Sequence, residues 1–436
     1  MNTSNTTPPA RRHWLDIVGI PRPLAWGFFG LLLFMIGDGV EAGYLAPFLG
    51  EGGVSPDHVA LTFTLYGITV SISSWLSGAL SDIWGPKRVM WAGLAIWIVF
   101  EVLFLLFGAA THNFPVMLIT YTLRGFGYPL FAFGFLVWIA AATPARQMGS
   151  AAGWFWFAFA AGLPTLGSLF ASFAIPVIGQ LATFWCALGL VACGGLITLL
   201  CTHEKSGLKR LAPEGQSPLA TVLLSVTILW KEPKIAAAGV VRTINTASEY
   251  AFLVIMPGFF TKVIGFSLQQ WLQLLSALAV SNVVVNLASG VLADKLGYRK
   301  IIGLGGCLGS AVSVLLFYYM PLHFRGDYPI ALLFGVFYGA TLACFVPLSG
   351  LVPQIAPKNK GAALSILGLG AGASTWFGPG IVTVFGESLG IEGVLWIFSG
   401  LYVLSGLLTI CLTVSPQARA YSARHHGQET EAVLAH

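Results

Sequence analysis

Charge is what this chain has least of. Asp, Glu, Lys and Arg make up only 9% of its 436 residues, against about 25% in soluble domains. A soluble protein of this length could bury a large core, but it would still need a charged skin, so the composition excludes a water-soluble protein and points to lipid. Cysteine is scarce as well. Cys186, Cys193, Cys201, Cys307, Cys344 and Cys411 all fall in apolar runs without metal-ligand spacing. They read as small buried hydrophobes, with neither a disulfide framework nor a metal site. The eight histidines lie in tails or near loops, with no nucleophile, base or phosphate loop arranged around them. No enzyme, no catalytic residue and no cofactor are therefore expected. The polar leader through Arg22 has no short apolar core, so no cleavable signal is expected either.

What is present repeats. The eleven residues from Gly78 to Arg88 (GALSDIWGPKR) return 212 positions later from Gly290 to Lys300 (GVLADKLGYRK). The Gly149-Ser150-Ala151-Ala152 stretch returns at the same offset as Gly361-Ala362-Ala363-Leu364. Two matches at one offset indicate two copies of one membrane unit.

A helix crosses a bilayer with about 20 apolar residues. Such runs lie near 23–50, 58–81, 89–110, 115–141, 149–174 and 181–202, then near 235–260, 270–293, 301–321, 329–353, 361–386 and 393–414. These are spans 1 to 12. The expected organisation is a tail 1–22, a six-helix bundle 23–202, a linker 203–234, a second bundle 235–414 and a tail 415–436. With both tails and the linker cytoplasmic, 18 of the 22 Lys and Arg residues lie inside and only Lys262 and Arg325 outside. The positive-inside rule decides for that orientation. The same bias accounts for the net charge of +5, so no nucleic-acid partner is implied.

In the repeated turn, Asp82 and Asp294 sit where one helix ends and another begins. A carboxylate there can accept from backbone N–H groups and pair with the cations that follow. Gly78, Asp82, Gly85 and Arg88, with Gly290, Asp294, Gly297 and Arg299, are the candidate conformational latch. The plainer alternative is a tight cytoplasmic turn with ordinary basic anchors.

The G-x-L-x-D-x-x-G turn between spans 2 and 3, with its echo between spans 8 and 9, resembles the major facilitator superfamily. The resemblance implies an all-α membrane protein of twelve helices in two pseudo-symmetric six-helix bundles. These would rock about a central site lined mainly by spans 1, 4, 7 and 10.

Six ionisable residues fall inside spans: Asp38, Glu41, Glu101, Arg124, Arg242 and Glu249. Each is disfavoured at mid-membrane by roughly 2.5–3.5 kcal/mol on insertion scales, so they must be paired, solvated or partly neutral. Asp38 and Glu41, three apart, share one face of span 1, and Arg242, Asn245 and Glu249 form one stripe on span 7. Arg124 in span 4 precedes Gly125, Gly127 and Pro129, where backbones approach or bend. Such a centre can carry a proton, with Asp38 or Glu41 as carrier and Arg124 as modulator. A permanent salt bridge that only fixes packing is the alternative. For Glu101, on a peripheral span 3, a structural hydrogen bond and a transport role weigh equally.

Tyr66, Tyr121, Tyr128, Trp156, Asn245, Asn282 and Asn286 add hydroxyl, amide and aromatic groups within the spans. With carboxylates and Arg, that inventory suits a neutral polyhydroxy solute, although aromatics near span ends also serve as interfacial anchors. Gly37-Asp38-Gly39-Val40-Glu41, Arg124-Gly125-Phe126-Gly127-Tyr128-Pro129, Gly153-Trp154-Phe155-Trp156 and Arg242-Thr243-Ile244-Asn245-Thr246 resemble the polyol permease group of the superfamily. That resemblance implies uptake of a pentitol such as ribitol, D-arabinitol or xylitol, with protons, across a bacterial cytoplasmic membrane. It carries Asp38, Glu41, Arg124, Trp156, Arg242 and Asn245 over as site residues. Glu249 departs from the group's pattern and marks a different polyol or a different proton route. The expected partners are the solute, protons and the bilayer, and the chain is expected to act as a monomer.

Two rivals stand beside this reading. Gly153, Gly162-Leu163-Pro164 and Gly167 in span 5, with Gly378-Pro379 in span 11, partly resemble the glycine-proline motif of proton-coupled drug exporters. Small residues with proline also suit plain close packing. A non-transporting sensor or scaffold would be expected to add a soluble module, and the polar segments here are too short for one.

Overall fold

Two glycines in left-handed conformation frame the molecule. Gly85 (φ 86°) ends the helix Pro56–Trp84 and Gly297 (φ 96°) ends the helix Leu268–Leu296. Each N–H returns to the carbonyl four residues back, Ser81 and Ala293. Only glycine holds such a φ without strain, so the repeat seen in the sequence is a repeat in backbone geometry.

The computed structural model describes residue 15 and residues 20–143, 148–210, 229–324, 326–356 and 360–416. Among them, eleven helices are long and apolar enough to cross a membrane. In chain order they are Arg22–Glu51, Pro56–Gly78, Pro86–Ala109, Phe114–Ala142, Gly153–Ile178, Gln180–Cys201, Pro233–Ile264, Leu268–Gly290, Tyr298–His323, Tyr328–Ile355 and Ile366–Cys411. The last is two crossings, because Gly390 (φ 64°) interrupts it with a non-helical backbone. Twelve spans result, as the apolar runs predict, and no strand occurs among the described residues. The expected tails and most of the linker lie outside the described residues, as do Arg146, Arg325 and Lys358. The carboxylates of Asp82 and Asp294, central to the expected latch, lie outside the described side chains.

Glycine sets how closely the spans meet. A Cβ on Gly39 of span 1 would run into the Leu163 carbonyl of span 5, and one on Gly378 of span 11 would run into the Ala247 carbonyl of span 7. These contacts join corresponding pairs of helices in the two halves. Span 5 therefore uses its small residues for packing: Gly162 faces Met35 and Gly167 faces the Gly39 backbone. The cysteines divide. Cys307 is buried, but Cys193, Cys201 and Cys411 are exposed on the outside of the bundle, so the expectation of uniformly buried cysteine fails for these three, whose helix faces point outward.

The start of the linker straps onto the first half. Glu204 Oε2 accepts from Trp138 Nε1 (2.6 Å) and from the Ser206 N–H (2.8 Å). Lys87 lies 5.6 Å over the Trp138 ring and donates to the Thr202 carbonyl (3.5 Å). In the second half the repeat-related Arg299 donates to the Thr409 and Ile410 carbonyls (3.4 and 2.6 Å). Each half thus ends with its last helix capped by the cation that follows its left-handed glycine. Arg88 donates back across the turn to the Trp84 carbonyl at 3.5 Å. Among the described residues, no side chain or backbone approaches a Cβ position at Gly78 or Gly290.

The halves are joined from mid-membrane toward the side opposite the linker. Trp271 Nε1 donates to the Gly43 carbonyl (2.8 Å), Ser276 Oγ to the Thr165 carbonyl (3.1 Å) and Thr375 Oγ1 to the Gly67 carbonyl (2.9 Å). Ser71 Oγ donates to the Gly372 carbonyl, and the hydroxyls of Thr64 and Thr383 meet at 3.1 Å.

Candidate functional site

The central charges sit where helices break. Span 1 is helical over Ala25–Val40 and again over Leu45–Glu51, and Glu41 stands at the interruption, its carbonyl accepting from the Tyr44 and Leu45 N–H groups. Span 4 is interrupted at Gly125-Phe126, directly after Arg124. The break is possible because Gly125 lies against Thr69, whose hydroxyl donates to the Thr122 carbonyl (2.6 Å) and satisfies it. Interrupted helices offer polar backbone where a membrane protein needs it.

At these breaks one guanidinium bridges two acids. Arg124 Nη1 donates to Glu101 Oε2 at 2.5 Å, and its Nη2 pairs with Glu41 Oε1. The three side chains are at most 2% exposed. The guanidinium also lies over the rings of Tyr121 (4.5 Å), Trp97 (4.8 Å) and Tyr66 (5.7 Å), a cation–π setting that supplements its ion pairs in low dielectric. Asp38 is buried and accepts from Trp97 Nε1 at 2.6 Å. Asp38 and Arg124 do not form an ion pair with each other among the described residues. Glu101 is thus central. Span 3 is less peripheral than expected because Trp97 and Glu101, four apart, turn one face of it inward.

Beside this cluster lies a small cavity of about 60 Å³. The first half supplies Asp38, Phe63, Tyr66, Tyr121, Tyr128 and Leu163 to its wall; the second supplies Tyr250, Leu253, Thr375 and Pro379. None of the hydroxyls of Tyr66, Tyr121, Tyr128 and Tyr250 finds a hydrogen-bond partner among the described residues. Buried phenols normally find one, while the wall itself is mostly apolar, built from these rings with Phe63, Leu163, Leu253 and Pro379.

The span 7 stripe forms a second polar group, two turns nearer the linker side. Arg242 Nη1 donates to Asn245 Oδ1, and Asn245 Nδ2 donates to the Leu342 carbonyl of span 10 (3.2 Å). Tyr402 OH donates to the Asn245 carbonyl (2.7 Å), and Ser248 meets Tyr338 and Tyr402 at 2.5 and 2.6 Å. Glu249, half-buried, has no ion pair or hydrogen bond among the described residues, and Arg242 has no carboxylate partner there. Two expected site residues are placed elsewhere. Asn282 donates to the Gly339 carbonyl (3.2 Å) and accepts from Asn286 (3.1 Å), a strut between spans 8 and 10. Trp156 is 49% exposed and packs on Phe133, Phe155 and Phe159 at the bundle surface. The sequence reading missed Trp97, Tyr250 and Thr375. The Trp97-x-x-x-Glu101 spacing was the available signal for the first.

Charged side chains buried inside the first of two repeated bundles, beside a cavity walled by both, suit a membrane carrier. The chain belongs to the major facilitator superfamily, whose family model matches residues 27–348 and 238–435. It is 40% identical to an alpha-ketoglutarate permease of Bacillus subtilis (strain 168), over 94% of this chain and 93% of that one. It is 36% identical to a D-arabinitol transporter of Klebsiella pneumoniae, over 92% and 94% of the two chains. A ribitol transporter of the same organism is 35% identical, over 94% and 96%. Among solved structures, a peptide transporter in complex with sulfate superposes with a TM-score of 0.73 at 14% identity, over 91% of this chain and 96% of that one; this likeness concerns the fold alone.

Proposed function

We propose that this chain is a proton-coupled importer of a sugar alcohol, a pentitol of the ribitol or D-arabinitol type, in a bacterial cytoplasmic membrane with the linker and both tails inside. The observation that carries the reading is that Asp38 and four tyrosines, whose hydroxyls have no hydrogen-bond partner among the described residues, surround one cavity shared by both halves. A polyol satisfies such a wall without bringing a charge, since its hydroxyls both donate and accept. The cavity is too small for a pentitol and is closed by the inter-half contacts on the far side, consistent with alternating access in which one half rocks against the other. The Glu41–Arg124–Glu101 group, with three carboxylates to one guanidinium once Asp38 is counted, has room for a coupling proton. Residues of the repeated turn, Gly78 to Arg88 and Gly290 to Lys300, serve the rocking motion as its latch. The unit acts as a monomer.

A second reading follows from Arg242. A guanidinium with no carboxylate in ion-pair contact among the described residues suits a solute that carries one, and one relative is named for alpha-ketoglutarate. The test is external pH in a lightly buffered, de-energised suspension of cells expressing the chain, with single pentitols and alpha-ketoglutarate added in turn. Alkalinisation by a pentitol alone supports the polyol reading. Alkalinisation by alpha-ketoglutarate alone replaces it with the dicarboxylate reading. No response to either, with the protein verified in the membrane, rejects proton symport of both.

A further inference from the structure

Asp38 and Arg124 are the carboxylate and guanidinium on which the proton-coupled reading turns, yet they do not touch. Both Arg124 arms are taken by Glu41 and Glu101, and the hydrogen bond to Asp38 comes from Trp97. The same indole lies beneath Arg124, its ring centre 4.8 Å from the guanidinium carbon. One rigid side chain therefore contacts both groups, one through its N–H and the other through its face.

We propose that Trp97 is the positioning residue that ties the Asp38 carboxylate to the Arg124 ion pairs, so that the two respond together when the halves move. The inference rests on the proton-coupled reading above and adds to it a residue on span 3.

Three further features support the assignment. Trp97 is 1% exposed, so its ring cannot swing away without a helix moving. Its backbone is the floor of the break in span 4: a Cβ on Gly127 would lie 2.6 Å from the Trp97 Cβ, two residues beyond Gly125. Displacement of span 4 at that break therefore moves Arg124 and the indole against each other. An indole N–H only donates, and its bond to an ionised carboxylate is charge-assisted. When Asp38 takes a proton that assistance is lost, and the ring is freer to follow Arg124. Phe34, edge-on at 6.3 Å, and Glu101, one turn along, complete the setting on the same face.

The experiment compares uphill accumulation with counterflow of a pentitol in proteoliposomes. Trp97→Phe keeps a ring under Arg124 and removes the N–H donor. Benzothienylalanine at position 97 preserves the indole shape while replacing N–H by sulfur, and so covers the case in which Trp97→Phe fails to fold. Trp91→Phe, on the exposed face of the same helix, is the control. Both changes at 97 are expected to lower accumulation about tenfold or more, the effect of losing a hydrogen bond to a charged group, with counterflow within about threefold of the unaltered protein. Asp38→Asn should likewise lower accumulation about tenfold or more. Unaltered accumulation by the benzothienylalanine protein, or an equal loss of accumulation and counterflow, overturns the role of Trp97. Normal accumulation by Asp38→Asn overturns the proton reading itself, and this inference with it.

Discussion

Arg124 and Glu101 lie 23 residues apart on neighbouring helices and meet at 2.5 Å in a site where neither side chain is more than 1% exposed. The other arm of the same guanidinium holds Glu41. A cation shared by two buried acids leaves one negative charge over, and Asp38 beside them adds another. Such a surplus is unfavourable in low dielectric unless protons or a solute relieve it. A carrier can use that demand, because relief in one conformation and not the other links binding to movement.

The bridging geometry predicts that charge alone will not suffice at position 124. Arg124→Lys keeps the cation but cannot fork between Glu41 and Glu101. Pentitol uptake should fall by about tenfold or more, with a lowered melting temperature in detergent, since loss of one partner from a buried pair destabilises by about 3–5 kcal/mol. Uptake within twofold of the unaltered protein would refute the bridge.

Tyr250 tests the cavity. Tyr250→Phe removes one unpartnered hydroxyl and leaves the ring in the wall. The half-saturation constant for the transported polyol should rise about fivefold, as expected for one hydrogen bond of about 1 kcal/mol, while that for a dicarboxylate, if one is carried, changes little. An unchanged polyol constant would place the solute elsewhere.

Close packing between spans 7 and 11 leaves no room at Gly378, where a Cβ meets the Ala247 carbonyl. Gly378→Ala should destabilise the second half by about 1–3 kcal/mol, seen as reduced yield in the membrane and an earlier thermal transition. Gly290→Ala, where a Cβ meets nothing, should not. Equal behaviour of the two variants would contradict the packing.

The linker strap has a pH dependence of known sign. Burial pushes the Glu204 carboxyl up, but hydrogen bonds from Ser206 and Trp138 outweigh it and hold the group below its ordinary value of 4.5. A carboxyl lowered in the folded state stabilises the strap above that ordinary value and ceases to do so as pH falls through the lower, folded one. Protection factors of the amides at residues 203–209, which discount the slower intrinsic exchange in acid, should therefore stay high at neutral pH and fall in acid below 4.5. Glu204→Gln should show low protection at both, and high protection in that variant would remove the carboxylate from the strap.

Composition, apolar run length and a repeat at fixed offset determined the class of this protein, its twelve spans, its two halves and the glycines of the repeated turn. These properties are local or periodic: a span is a length of apolar chain, and a left-handed turn asks for glycine wherever it occurs. The six ionisable residues in the spans were visible too, because each is disfavoured in lipid on its own. Which of them meet was decided only in three dimensions. Asp38 went to Trp97 and not to Arg124, Glu101 came to the centre, Trp156 turned outward, and Tyr250 reached a wall built largely by the other half. Pairing depends on how two bundles rotate and how closely glycines let their helices approach, and those contacts join residues far apart in the chain that no spacing along it encodes.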